Sequence, residues 1–207
     1  MSLKTGKFLV SRLSLLSAAS LVSMSIGVQH AAAADAAQQA KPATAATKAA
    51  NDKLLNELPF SDKTDFDNAH KGFIAPLPAE VIKGSAGNTI WNPGQYGFIK
   101  EGSAAPDSVN PSLWRQSQLI NISGLFEVTD GIYQVRNQDL SNMTIIEGKE
   151  GITVVDPLIS TETAKVAIDL YYAKRGKKPV KAVIYTHSHV DHYGGVRGIV
   201  SGHELTS

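Results

Sequence analysis

The chain has 207 residues, 43% of them hydrophobic and 19% charged, with 20 basic side chains against 19 acidic ones. This is the composition of a soluble globular protein with room for one sizeable core rather than two full domains, and its near neutrality excludes the basic stripe that a nucleic-acid partner requires. Cysteine is absent, which excludes thiolate metal sites and cysteine nucleophiles and suits an exported chain that avoids stray disulfides.

The N-terminus is chemically unlike the rest. Lys4, Lys7 and Arg12 precede the apolar run LSLLSAASLVSMSIGV (Leu13 to Val28), and Ala32 and Ala34 supply small residues at the −3 and −1 positions of a cleavage site. The pattern is that of a secretory signal peptide over residues 1–34, too short and too rich in Ser and Ala for a membrane span. No other segment is apolar enough to cross a bilayer, so the expectation is a periplasmic or secreted protein without an integral span. Residues 35–50, dominated by Ala, Gln, Lys and Thr, are expected to form a flexible, disordered linker. From 51 to 123 prolines and aromatics alternate irregularly, at Pro59, Pro76, Pro78, Pro93, Pro106 and Pro111. Such a segment is expected to wrap a larger body rather than build its own core.

Regular structure is expected over 124–207. Ile132 to Val135, Thr144 to Ile146 and Ile152 to Val155 have strand composition, with Gly148 to Gly151 as a turn between the last two. After Asp156-Pro157, Ser160 or Thr161 can cap a helix whose apolar positions Ala164, Ala167, Ile168 and Tyr171 recur at helical spacing, ending at Arg175 to Pro179. Val180 to Tyr185 reads as a buried strand. Strands followed by a helix and a further strand imply the α/β class, a mixed sheet with a helix on one face. In such sheets ligands gather beyond the carboxyl ends of strands.

At that position the chain reads YTHSHVDHYGGV (Tyr185 to Val196), which holds three of its six histidines. Imidazole nitrogens and a carboxylate suit zinc and similar divalent ions. His187 and His189, two residues apart, can share one metal, and Asp191 and His192 at the following turn can face a second, while Gly194-Gly195 lets the backbone pass closely. Isolated histidines such as His30, His70 and His203 carry no such pattern. Two close ions can activate a bridging water and stabilise a departing oxygen, which points to hydrolysis; no G-x-S-x-G signature competes.

H-x-H-x-D-H after a strand resembles the signature of the metallo-β-lactamase superfamily, whose fold is an αββα sandwich. Asp156 resembles that superfamily's upstream aspartate, which supports the site from behind. Six segments in order (Asp65 to Pro78, Asn110 to Leu119, Gly124 to Arg136, Asp139 to Gly148, Asp156 to Lys165 and Lys181 to Val200) are similar to the N-terminal part of the alkyl sulfatases of the linear primary-alkylsulfatase group. The resemblance implies two zinc ions, Zn2+ held first by His187 and His189 and second by Asp191 and His192. It also implies conversion of a small alkyl sulfate such as dodecyl sulfate and water to an alcohol and sulfate by a metal-bridged hydroxide. Arg136 and Asn142 fall near this region without a motif that assigns them a role.

The superfamily draws further ligands from later loops, and only fifteen residues follow His192. His203 and Glu204 among them match no such motif. The expectation is therefore the first half of a sandwich behind an irregular N-terminal segment, with the complete protein a homodimer. Other hydrolases of the fold (β-lactamases, thioesterases, lactonases) share the histidine motif but not the upstream segments. Diiron flavoproteins of the superfamily generally carry Glu at the position of His189, whereas its persulfide dioxygenases keep His. The remaining alternative is an inactive, truncated exported polypeptide.

Overall fold

The computed structural model describes residues 41–201. The expected signal peptide over residues 1–34, most of the expected linker, and His30, His203 and Glu204 lie outside the described residues.

Thr44 accepts a hydrogen bond from the Thr47 amide (3.1 Å) and starts helix α1, Ala45–Glu57. The last residues of the stretch expected to be flexible are thus helical, because alanine has the highest helix propensity and a threonine stands at the cap. Asn51 donates from its amide to the carbonyls of Asp107 (2.9 Å) and Val109 (3.2 Å), so α1 is tied to the loop ahead of a later helix. The segment expected to be irregular also carries α2 (Thr64–His70), strand β1 (Phe73–Ala75), a hairpin of β2 (Ile82–Lys83) and β3 (Thr89–Trp91), and α3 (Pro111–Ile120). Pro111 marks a start there, not a break: it occupies the first helical turn while the Asn110 side chain accepts from the Ser112 and Leu113 amides. Proline is pre-shaped for that position and has no amide to leave unpaired.

Strands β4 (Gly124–Thr129), β5 (Ile132–Arg136), β6 (Met143–Glu147), β7 (Ile152–Val155) and β8 (Val180–Ile184) continue one sheet in the order β1-β4-β5-β6-β7-β8. All pairs are antiparallel except β7 with β8, which are parallel and joined through helix α4, Thr161–Arg175. Burial alternates with the strand period: Tyr133 and Val135, Met143 and Ile145, and Ile152 and Val154 face α4, which returns Ala164, Ala167, Ile168 and Tyr171. Helical spacing on one side and period two on the other thus meet in a single core. The mixed sheet with a helix on one face is the α/β arrangement the sequence implies. Strand β8, expected to be buried, is instead half exposed, with Ile184 at 49%. Among the described residues it pairs on one side only, and the sheet's outer face leaves its side chains open.

Helix α4 begins with a capping box, in which Ser160 Oγ accepts from the Thr163 amide and Thr163 Oγ1 faces the Ser160 amide. It ends at Gly176, whose φ of +83° turns the chain back toward β8. The end of α4 is locked to the sheet through Glu147. That carboxylate accepts from Arg175 Nε (3.1 Å) and Tyr171 Oη (2.8 Å), and Lys178 Nζ lies 2.7 Å away. Arg175 and, against the cost of burial, Lys178 and Tyr171 hold the Glu147 pKa down to about 2.

Because this folded value lies below the ordinary 4.5, the stability Glu147 contributes is present above about pH 4.5 and is lost as the pH falls through 2. A displacement of this size corresponds to about 3 kcal/mol. Glu147→Gln is expected to lower the free energy of urea unfolding by roughly that amount at pH 7, and the gap to the wild type should close between about pH 4.5 and 2. A gap independent of pH would show that the carboxylate's charge is not what joins helix to sheet.

Candidate metal centre

The strand registers bring three loops to one edge of the sheet. Val135 pairs with Met143, Thr144 with Val155, and Val155 with Ile184. The connections 137–142, 156–160 and 185–195 therefore leave the sheet side by side. This is the carboxyl end of β7 and β8, where α/β sheets hold ligands.

The sheet edge is continued by side chains. The Asp156 amide donates to the Ile184 carbonyl (2.9 Å), one step beyond the last β7–β8 pair. Asp156 itself sits in the left-handed region at φ +54°, which Asp tolerates better than most residues and which turns its carboxylate toward β8. Its Oδ1 accepts from the Thr186 amide (2.8 Å), and its Oδ2 accepts from Thr186 Oγ1 (2.7 Å) and from His192 Nδ1 (2.9 Å). Burial pushes the Asp156 pKa up, but Thr186 and His192 outweigh it, so the carboxylate titrates below its ordinary range.

These bonds settle which ring nitrogens are available. Thr186 spends its proton on Asp156, so at 2.9 Å its oxygen accepts from His187 Nδ1. His192 likewise spends its Nδ1 proton on Asp156. In each ring Nδ1 is thereby engaged and Nε2 is the nitrogen left for a ligand, the arrangement in which a second partner orients a histidine. His187 Nε2 then faces His189 Nδ1 at 3.0 Å, and His192 Nε2 faces Asp191 Oδ2 at 3.3 Å. The His187 and His192 rings are 4.0 Å apart between centroids.

The donors thus come together as two adjoining pairs. No three of them converge within reach of one ion among the described residues. The pairs nonetheless suit metal ions on two counts. Two ligands about 2.0 to 2.1 Å from a tetrahedral ion stand roughly 3.3 Å apart, close to both separations seen here. A neutral His192 ring and the Asp191 carboxylate, facing one another at 3.3 Å, would also leave a place for a cation between them. The four residues singled out in sequence are therefore all at one place, and each pair has the spacing of two ligands of one tetrahedral ion.

The backbone holds this loop without help from the donors. The His192 amide donates to the His189 carbonyl (3.0 Å), Gly194 to Val190 (2.7 Å) and Gly195 to Leu158 (2.9 Å). A Cβ on Gly195 would lie 2.0 Å from the Pro157 carbonyl oxygen, and one on Gly194 would lie 2.2 Å from that of Ile159. Only glycine lets the metal loop lie this close on the 157–160 turn.

Of the remaining residues considered in the sequence, Arg136 bonds Gln134 (3.0 Å) and the Ala69 carbonyl (3.2 Å) and stacks on Phe126. Asn142 accepts from the Asn137 amide (3.1 Å) and shapes its own loop. Neither side chain makes a bond to the donor loop in the contacts described. His70 pairs with Glu101 (2.8 Å) on the exposed surface, elsewhere in the chain. Sequence reasoning missed Thr186, although it lies beside His187, because a hydroxyl that relays between an aspartate and an imidazole has no motif of its own.

A sequence model of the Metallo-beta-lactamase superfamily matches residues 136–205. The chain is 81% identical over 165 residues to a linear primary-alkylsulfatase from Pseudomonas sp., a match covering 80% of this chain and 24% of that protein. An (R)-specific secondary-alkylsulfatase from Pseudomonas sp. is 52% identical over 160 residues, with 77% and 24% covered, and an alkyl/aryl-sulfatase from Saccharomyces cerevisiae is 51% identical over 168 residues, with 81% and 26% covered. The solved structure of a stereoselective inverting sec-alkylsulfatase from Pseudomonas sp. superposes with a TM-score of 0.72 at 52% identity, covering 79% of this chain and 25% of that one. The chain spans about a quarter of the length of the curated relatives it matches. Over most of its length it is similar in sequence and fold to alkylsulfatases, and residues 136–205 match the metallo-β-lactamase superfamily, a superfamily that generally binds metal ions such as zinc.

Asp156→Asn would put an amide nitrogen where two donors, Thr186 and His192, now point. Its expected effect is a zinc affinity about 10- to 100-fold weaker, the usual cost of losing an outer partner of a ligating histidine. Competition against a chromophoric chelator reads this directly, and an unchanged affinity would remove Asp156 from the site.

Proposed function

We propose that this chain contributes the first metal loop of an alkylsulfatase site, one that hydrolyses linear alkyl sulfates, such as dodecyl sulfate, to an alcohol and inorganic sulfate. The observation that carries the reading is the pairing of four donors on one loop, in a chain so similar to a linear primary-alkylsulfatase. His187 with His189, and Asp191 with His192, would each hold one of two zinc ions. When bound, such ions lower the pKa of water from about 15.7 toward about 7 and offset charge on a departing oxygen.

The chain's own residues do the rest. Asp156 and Thr186 hold Nδ1 of His192 and His187, which leaves Nε2 of each ring as the nitrogen facing the neighbouring donor. The surroundings also suit an amphiphile. Ile184, Tyr185, Val190 and Tyr193 border the donors and are each exposed by 42 to 50%. An apolar rim around a few polar groups is the usual lining for a substrate with a charged head and a hydrocarbon tail. Among the described residues no helix is long and apolar enough to cross a membrane. Export of the protein, read from residues 1–34, rests on the sequence and would bring the site to detergents outside the cytoplasm.

Sulfate release from dodecyl sulfate by the zinc-loaded protein, followed by ion chromatography, tests the proposal. Chelation should abolish it, and His187→Ala or Asp191→Ala should lower it by more than about 100-fold, beyond the cost of losing an outer partner. Hydrolysis of a β-lactam, thioester or lactone with no sulfate released would overturn the proposal in favour of another hydrolase of the same fold.

A further inference from the structure

The β5–β6 connection reaches the donor loop by a route that the histidine motif does not include. Asp139, at 3% exposure, accepts through Oδ2 from Thr163 Oγ1 (2.6 Å) and from the Ile159 amide (3.1 Å), both at the start of α4. Its Oδ1 accepts from the Ser141 amide (3.1 Å). Ser141 Oγ in turn donates to the main-chain carbonyl of Asp191, and it stands 3.4 Å from Asp191 Oδ2. Thr163, Asp139 and Ser141 are all buried. A continuous line of hydrogen bonds therefore runs from the helix start through Asp139 and Ser141 to Asp191.

We propose that Ser141 is a positioning residue for the metal loop: anchored by Asp139, its hydroxyl fixes the main chain of Asp191 and so the direction in which the Asp191 carboxylate faces His192. The Asp191 side chain is about a quarter exposed and has no hydrogen bond from a main-chain amide among the contacts described. An aspartate free to turn about χ1 loses rotamer freedom when it ligates, and that loss weakens binding. Holding its backbone from the neighbouring loop removes part of the cost beforehand, as preorganised sites do. Asp139 fits the role of anchor because its other described bonds, from Thr163 Oγ1 and the Ile159 amide, come from the start of α4 and tie Ser141 to that end of the helix.

This inference rests on the metal reading of His187, His189, Asp191 and His192, and its test separates the two. Zinc affinity of the full chain is measured by chelator competition, with far-ultraviolet circular dichroism and the thermal midpoint recorded on each variant. Ser141→Ala is expected to keep its fold and bind zinc about tenfold more weakly, the lower end of what outer partners contribute. In an Asp191→Ala background the same change should have no further effect on zinc. A merely structural serine would lower the thermal midpoint and leave the affinity of the folded protein alone.

Should the alanine variant lose its fold, Ser141→Thr and Ser141→Val decide, since they share a shape and differ by the hydroxyl. Threonine is expected to bind zinc about tenfold more tightly than valine. Equal affinities for serine and alanine, or for threonine and valine, overturn the proposal. So does a full loss from Ser141→Ala in the Asp191→Ala background, because the serine would then act on some other ligand. A wild-type chain that takes up no zinc overturns the metal reading and this inference together, whereas a wild type that binds zinc without hydrolysing dodecyl sulfate overturns only the substrate.

Discussion

The parallel pairing of β7 with β8 is the constraint on which the donor loop depends. An antiparallel neighbour would have placed the end of β8 at the opposite edge of the sheet from Asp156. Because the two strands run together, Asp156 and Thr186 leave the sheet in register, and one carboxylate can accept from the Thr186 amide, the Thr186 hydroxyl and His192 at once. Parallel strands need a crossover, and here it is α4. The same helix that buries Ala164, Ala167, Ile168 and Tyr171 against the sheet also sets the 157–160 turn on which Gly194 and Gly195 lie. Core and site are two consequences of one connection.

The two ends of α4 do different jobs. Its C-terminal end is electrostatic, with Arg175 and Tyr171 closed on Glu147 beside Lys178. Its N-terminal end is a hub of hydrogen bonds: Ser160 and Thr163 cap the helix, and Thr163 also reaches Asp139 from the β5–β6 loop. Burial pushes the Asp139 pKa up against the opposing bonds from Thr163, Ile159 and Ser141. A carboxylate in that setting is kept in place by the donors around it, so the loop it belongs to is tied to the start of the helix.

Much of this was legible in the residues themselves. The period-two runs at 132–135, 144–146 and 152–155, and the helical spacing from Ala164 to Tyr171, correspond to β5, β6, β7 and α4 because one buried face leaves an alternation that composition alone reveals. The four donors of H-x-H-x-D-H are legible for a similar reason, being close in sequence as well as in space. The N-terminal half was not. There α3 opens on a proline and buries only Pro111, Trp114 and Gln118, with Trp114 and Gln118 bonded to the carbonyl of Ser103. That is tertiary contact, and local pattern does not report it. Strand β8 was misjudged because a β-branched run fits a buried strand and an edge strand equally well. Thr186, Asp139 and Ser141 escaped because their partners lie in other loops, and a hydrogen bond across the fold leaves no spacing to read.

What the backbone does before any ion arrives bears on how such a loop can work. In small zinc modules the metal orders the chain, and the free energy of binding is largely the free energy of folding. Here the order precedes the ligands. The amides of His192, Gly194 and Gly195 are satisfied by carbonyls of the loop and of the adjoining turn, and the ring orientations of His187 and His192 are set by Thr186 and Asp156. The donors consequently face one another in pairs at 3.0 and 3.3 Å, distances set by neighbouring elements. A loop built this way has its donors already in position, with little left to rearrange when an ion is offered.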